Sequence, residues 1–352
     1  MPSSSARPLR AAIEAGGTKF VCAIGTGPHD VRASTVIPTT SPAETLGRVA
    51  EFIAAHHAVD TRIESVGVAS FGPLDLRPQS PTYGFITTTP KPGWAGTDLV
   101  GVLQRELGVP IVLETDVNGA AYGEYRWGAN RGLWSSAYIT VGTGVGGGAV
   151  IDGRTVRGLV HPEMGHLHVR RHPFDTFAGS CPFHLDCLEG LASGPAIRDR
   201  FGRAAQELDG DVGFAVELEA WYLAQLVSAV TYLLSPERIV LGGGVLGLPG
   251  LLDAIRAATL ERLAGALDLL SRPGQMQDYL VPPGLGERSG VLGALALAEG
   301  LPGQTQAQEP GTSREAWTGP GRRTPLNPSA PTVVTYRPDL PTRAKETHPC
   351  AP

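Results

Sequence analysis

An apolar run, a glycine-rich tip and a second apolar run occur twice in this chain, and that repeat limits what it can fold into. The first copy is RAAIEAGGTKFVCAIGTG at residues 10–27, and the second is SSAYITVGTGVGGGAVIDGR at residues 135–154. A tight hairpin needs only two turn residues such as Asn-Gly, yet five of the seven residues 142–148 are glycine. Glycine at this density lets an anion approach backbone N–H groups. Gly142, Gly144 and Gly147 satisfy GxGxxG, but the dinucleotide fingerprint requires a helix directly after its turn. Here GAVIDG alternates as a strand, so a hairpin is expected, with the Thr143 hydroxyl as a further donor. Two such hairpins in two domains of related design can grip one polyphosphate between them. Gly16, Gly17 and Thr18 would face the terminal phosphates from one side, with Lys19 supplying charge. Thr143, Gly144 and Gly146 would face them from the other. Glu14 is placed to hold Mg²⁺, through water; it also reads as a solvated acid at a strand end.

The rest of the chain alternates strand and helix patterns, which predicts an α/β fold. SPAETLGRVAEFIAAHH opens with Ser41 as N-cap, Pro42 at the first helical position and Glu44 three residues after the cap; Leu46, Val49, Phe52 and Ile53 form one apolar face. A strand pattern at IESVGVASFGPLDL, a helix at DLVGVLQRELG, a buried strand at PIVLETD and a helix at VNGAAYGEYRWGA follow. The second glycine hairpin comes next, then a long helix in VELEAWYLAQLVSAVTYLLS, a strand in PERIVLGGGV and a last helix in ERSGVLGALALAEG. The expected domains are 9–120 and 121–288, with a helix at 289–300 returning to the first. Residues 301–352, rich in Pro, Gly, Thr and charge, read as a disordered tail, with a docking strand near Val333 to Tyr336 as the one exception.

Bulk properties exclude several functions. The 352 residues are 42% hydrophobic with a formal net charge of −5, and the pI is about 6.0. That balance offers no broad basic surface for nucleic acid. No apolar run has membrane-spanning length and MPSSSARPLR lacks an apolar leader core, so a cytoplasmic protein is expected. The first strand pattern starts about nine residues in, which leaves no room for a preceding helix-turn-helix.

Three further segments carry chemistry. In VLETDVNGAAYGE, Asp116 ends an apolar strand and begins a helix, where carboxylates of α/β sheets face the ligand crevice. It is a candidate general base for a hydroxyl acceptor, and equally a helix N-cap. In GSCPFHLDCLEG, Cys181, His184 and Cys187 stand three apart, a compact ligand trio for zinc; His161, His166 and His168 in HPEMGHLHV are candidates for the fourth. No open coordination position is implied, so such a zinc is structural. Gly243 and Gly244, after the strand RIVL, admit either an adenosine or a packed helix.

Taken in order over about residues 9–299, IEAGGTK, TDVNGAA, GTGVGGG, EMGH, CPFHLDCLEGLASGPAI and IVLGGGV resemble the ROK (repressor, open reading frame, kinase) family of sugar kinases, in particular its bacterial fructokinase branch. The resemblance implies a two-domain actin/hexokinase-like (ribonuclease H-like) fold around a cleft. It implies ATP-dependent phosphorylation of a hexose, with Mg²⁺ beside the nucleotide and a structural zinc, and a homodimer. Asp116 then matches the general base. Asn118, Glu163, His166 and Glu189 match positions around the sugar, and Pro195, Gly243 and Gly244 join the ATP side. His166 joins Cys181, His184 and Cys187 at the zinc, which orders the loop carrying Glu189. Glu14, Thr115 and His184 stand where most of the family has Asp, Asn and a third cysteine; the fructokinase branch shares these departures, and Thr115 favours fructose over glucose. TTTPKPGWAGTDL, with Trp94 at its turn, fits the sugar-side loop or ordinary packing. A kinase for mannose, glucose or an N-acetylhexosamine, a sugar sensor without catalysis, and a nicotinamide-dependent oxidoreductase are the alternatives, separable by turnover on a sugar panel and by thermal shift with ATP against NAD.

Overall fold

The computed structural model describes residues 8–57, 62–208 and 212–300; the expected tail and its docking strand lie outside them. In chain order the first half comprises β1 (Leu9–Ala15), β2 (Lys19–Gly27), β3 (Asp30–Pro38), α1 (Pro42–Ala55), β4 (Ile63–Ser70), β5 (Phe85–Ile86), β6 (Thr97–Asp98), α2 (Leu99–Leu107), β7 (Ile111–Thr115) and α3 (Asp116–Trp127). The second half comprises β8 (Ser135–Val141), β9 (Val145–Ile151), β10 (Arg154–Thr155), α4 (Leu188–Ala192), α5 (Gly194–Phe201), α6 (Val212–Leu234), β11 (Arg238–Gly242), α7 (Leu251–Leu263), α8 (Asp268–Ser271), α9 (Gln275–Tyr279), β12 (Leu280–Val281) and α10 (Ser289–Leu297).

The repeat seen in the sequence is a repeat of topology. One sheet has the order β3-β2-β1-β4-β7 and the other β10-β9-β8-β11-β12. In each, a central strand pairs antiparallel with its hairpin partner on one side and parallel with a later strand on the other. Both glycine-rich segments are hairpin tips: Ala15 pairs with Phe20 across the first and Val141 with Val145 across the second. The strand after the second tip rules out the dinucleotide fold.

Helix ends follow their sequence signals. Ser41 caps α1, its hydroxyl accepting the Glu44 N–H at 3.4 Å, and Leu46, Val49 and Ile53 are buried while Phe52 is only half-buried. The long helix begins at Val212, ahead of the expected VELEA start. Trp94 packs into the first core, its ring 5.5 Å from those of both Phe20 and Phe71, with Nε1 donating to the Thr40 carbonyl at 2.8 Å. Ordinary packing is therefore its role.

α3 and α10 join the two sheets. Their cluster buries Ala12, Ala23 and Ala69 of the first sheet together with Tyr138, Val150 and Val240 of the second. The helices approach backbone to backbone, since a Cβ on Gly123 would come within 2.8 Å of the Gly293 Cα. Residues with side chains at this crossing would push the helices apart. α10 also ties back to the first sheet, where the Ser65 hydroxyl donates to the Ala298 carbonyl at 2.7 Å. Among the described residues no helix is long and apolar enough to cross a membrane.

Candidate active site

A cavity of about 870 Å³ is lined from one side by the β1–β2 tip and from the other by the β8–β9 tip, with Asp116 and Glu163 also in its wall. Gly16, Gly17, Thr18, Lys19, Thr143, Gly144, Gly146, His166, Glu189, Pro195 and Glu14 all line it. Among the described residues, the Lys19 ammonium has no ion pair, and it is exposed in the cleft with Gly17 and Thr18. Nothing within 4 Å would meet a Cβ on Gly17 or Gly142. The protein's own packing does not require glycine there; what those positions leave open is the cavity.

Asp116 opens α3, but it does not cap it. Thr115 takes the cap, its hydroxyl accepting the Asn118 N–H at 3.2 Å. The Asp116 carboxylate keeps one hydrogen bond, from the Val117 N–H at 2.9 Å. Burial raises its pKa from 3.8 to about 6, against the lowering effect of that bond. A carboxylate short of donors and poised near neutrality is a competent proton acceptor. Two more acids share the cavity. Burial, with Asp116 beside it, raises Glu14 to about 7, while Lys19 and the Val291 N–H pull it down. Burial, with Asp116 and Glu189 nearby, raises Glu163 to about 7.

The end of β7 that presents Asp116 is fixed from the other lobe. Glu114 is fully buried and receives Arg157 Nε at 2.6 Å, Asn118 Nδ2 at 3.2 Å and the Thr155 hydroxyl. Sequence reasoning missed this clamp. Glu114 reads as one more residue of an apolar strand, and nothing local marks partners some forty residues on.

Asn118 corrects an expectation. It is fully buried and absent from the cavity wall. Its amide donates to Glu114 and to the Val156 carbonyl, and its oxygen accepts the Ala149 N–H at 3.3 Å. Both amide N–H groups and one lone pair of its oxygen are thus spent on the protein, and it supports the wall from within. Gly243 and Gly244 also lie outside the lining. Gly243 has φ +95°, and a Cβ there would strike the Val141 backbone at 2.3 Å, so close packing against the end of β8, not against a helix, requires glycine there.

Glu189 docks on the second hairpin, accepting the Val145 N–H at 3.0 Å. It follows Cys187 by two residues, and Cys187 belongs to a cluster with His166, Cys181 and His184 whose donor atoms all lie within 4.8 Å of one another. His166 Nδ1 is 3.8 Å from Cys181 Sγ and 3.6 Å from Cys187 Sγ, and His184 Nδ1 is 3.9 Å from Cys181 Sγ. Zinc–sulfur bonds of about 2.3 Å and zinc–nitrogen bonds of about 2.0 Å, set tetrahedrally, need S···N separations of about 3.5 Å. The four residues fit a zinc ion. Of the three histidines left open by the spacing, His166 completes the set, His168 is exposed, and His161 is buried elsewhere.

A sequence model of the ROK family matches residues 10–300. The chain belongs to the ROK family. It is 46% identical over 290 residues to a fructokinase of Zymomonas mobilis, covering 81% of this chain and 95% of that one. It is 40% identical over 296 residues to a fructokinase of Pediococcus pentosaceus, covering 83% and 98%. Among solved structures, a ROK hexokinase of Thermus thermophilus is 30% identical with a TM-score of 0.67, covering 83% of this chain and 98% of that chain. The ROK architecture of two α/β lobes around a cleft is thus the fold of this chain, as its motifs imply.

Proposed function

We propose that this ROK chain transfers the γ-phosphoryl group of ATP to a hexose, converting D-fructose to fructose 6-phosphate. The observation that carries the reading is the shared cavity: one bare-backbone hairpin from each sheet, with a donor-poor carboxylate at a helix start, Asp116, in the wall between them. Relatives named fructokinase at 40–46% identity over most of the chain support the sugar.

In this mechanism the triphosphate lies between Gly16–Thr18 and Thr143–Gly146, with Lys19 as its fixed positive charge. Fructose lies at Asp116, Glu163 and Glu189. Asp116 accepts the proton of the 6-hydroxyl as that oxygen attacks the γ-phosphorus and the bond to the β-phosphate oxygen breaks, releasing ADP. Glu163 and Glu189 accept hydrogen bonds from other sugar hydroxyls and so orient the attack. Glu14 would hold Mg²⁺, directly or through water, and the metal would neutralise phosphate charge. His166, Cys181, His184 and Cys187 would hold zinc, which would fix the segment that aims Glu189. The same reading makes the protein a cytoplasmic homodimer, a state that light scattering measures.

Initial rates of ADP release with fructose, mannose, glucose and N-acetylhexosamines test the proposal. Fructose should give the highest kcat/KM. Release of ADP with none of them would overturn it, and a preference for another hexose would replace the substrate while keeping the reaction.

A further inference from the structure

His161 is one of the three histidines that the spacing offered to zinc, and the metal cluster leaves it out. It lies instead in the wall of the cleft, buried, five residues before His166. Its ring bridges the lobes. Nε2 accepts the Leu74 N–H at 3.0 Å, and Leu74 belongs to the first lobe, where it bridges to Ile86. A ring nitrogen that accepts carries no proton, so in the neutral ring the proton sits on Nδ1. Nδ1 lies 3.3 Å from Glu163 Oε1. Desolvation lowers the pKa of the ring, against the raising effects of the Pro162 carbonyl and Glu114, and so favours that neutral form. Space is tight on the other side as well: a Cβ on Gly72 would come within 3.3 Å of Nε2. The first lobe thus holds the ring in one orientation and one tautomer, and its one N–H has the Pro162 carbonyl as well as Glu163 Oε1 within reach.

We propose that His161 is a positioning residue for the acceptor sugar, in which its Nδ1–H fixes the Glu163 carboxylate from behind while Nε2 anchors the segment to the Leu74 backbone of the opposite lobe. The role rests on the reading of Glu163 as a sugar contact. It makes a separable prediction, because the two ring nitrogens do different work. Gln at 161 places an acceptor where Nε2 stands and removes the donor to Glu163. Asn places a donor where Nδ1 stands and abandons Leu74.

The test uses the full chain and compares His161→Gln with His161→Asn. For His161→Gln, the thermal midpoint should stay near wild type and KM for fructose should rise about tenfold or more, the scale of one lost hydrogen bond to a charged group. KM for ATP should stay within about twofold, because the phosphate hairpins are untouched. For His161→Asn, the thermal midpoint should fall while KM for fructose stays close to wild type. In wild type, imidazole ¹⁵N shifts should report a neutral Nδ1–H tautomer. Unchanged fructose KM in His161→Gln overturns the proposal. So does a rise in fructose and ATP KM in both variants that simply tracks lost stability, or an Nε2–H tautomer. Wild-type protein that releases no ADP with fructose would instead overturn the functional reading on which the role depends.

Discussion

Asp116→Asn separates what the proposed base does for turnover from what it does to the fold. Folding raises its pKa from 3.8 to about 6, so the folded chain binds this proton more tightly than the unfolded chain. The stability this group contributes is whole below about pH 4 and is lost as the pH rises through about 6. Above pH 7 the ionised carboxylate is a net burden. A shift of about two units at about 1.4 kcal/mol each gives an upper value of about 3 kcal/mol, and because the group is half-buried the working range is about 1–3 kcal/mol. Asn has the same shape, carries no charge and keeps an oxygen for the Val117 N–H. The ligand-free variant should therefore be more stable than wild type at pH 8, by about 2–6 °C in thermal midpoint. At pH 4 the linkage leaves only about 0.5 kcal/mol, so the two midpoints should converge. In the same protein kcat should fall by roughly 10²–10⁴ through loss of the general base. Scanning calorimetry at pH 8 and pH 4 with a coupled ADP assay reads both quantities. A gain in midpoint that is the same at both pH values, or a loss at pH 8, would refute the electrostatic reasoning. Near-normal turnover would refute the assignment of the base.

Two other perturbations probe the support around the cavity. Asn118→Ala should cost about 1–3 kcal/mol by leaving Glu114 and the Ala149 N–H short of a partner in the interior, while KM for fructose changes less than about twofold; a large KM effect at full stability would restore Asn118 to the sugar contacts. Metal analysis should find one zinc per chain, and its removal by chelation should raise proteolytic susceptibility across 161–190 and raise KM for fructose more than KM for ATP. A fully active protein containing no zinc would sink that part.

The sequence was most legible where one local rule governs. Hairpin tips, the α1 cap at Ser41 and the strand after Gly148 each follow from a few neighbouring residues, and a helix was expected from Val117 onward. It was least legible where a residue's partner is far along the chain. Asp116 was open between base and cap because both positions favour the same side chain. The structure removes the cap reading through Thr115, whose hydroxyl takes the cap. Asn118 has the polarity of a ligand contact, and only the positions of Glu114, Ala149 and Val156 show that its amide faces inward. The spacing gave three zinc ligands and three histidines for the fourth place. Choosing among them required knowing that Leu74 claims His161.

The acids of the cleft explain one another better together than singly. Glu14, Asp116 and Glu163 all sit above their ordinary pKa, and in the first and last the charge of Asp116 is part of the cause. Against them stands the single ammonium of Lys19, which is exposed. A folded protein gains nothing from crowding carboxylates in a partly desolvated space, since each raises the cost of ionising the next. The arrangement makes sense as a site completed by its substrates. Hydroxyl groups of a sugar would supply further donors to Glu163 and Asp116, and a cation beside Glu14 would remove the repulsion between Glu14 and Asp116. Binding would then hold Asp116 in the ionised form that proton transfer needs. The same groups that weaken the empty protein would thereby favour the filled cleft.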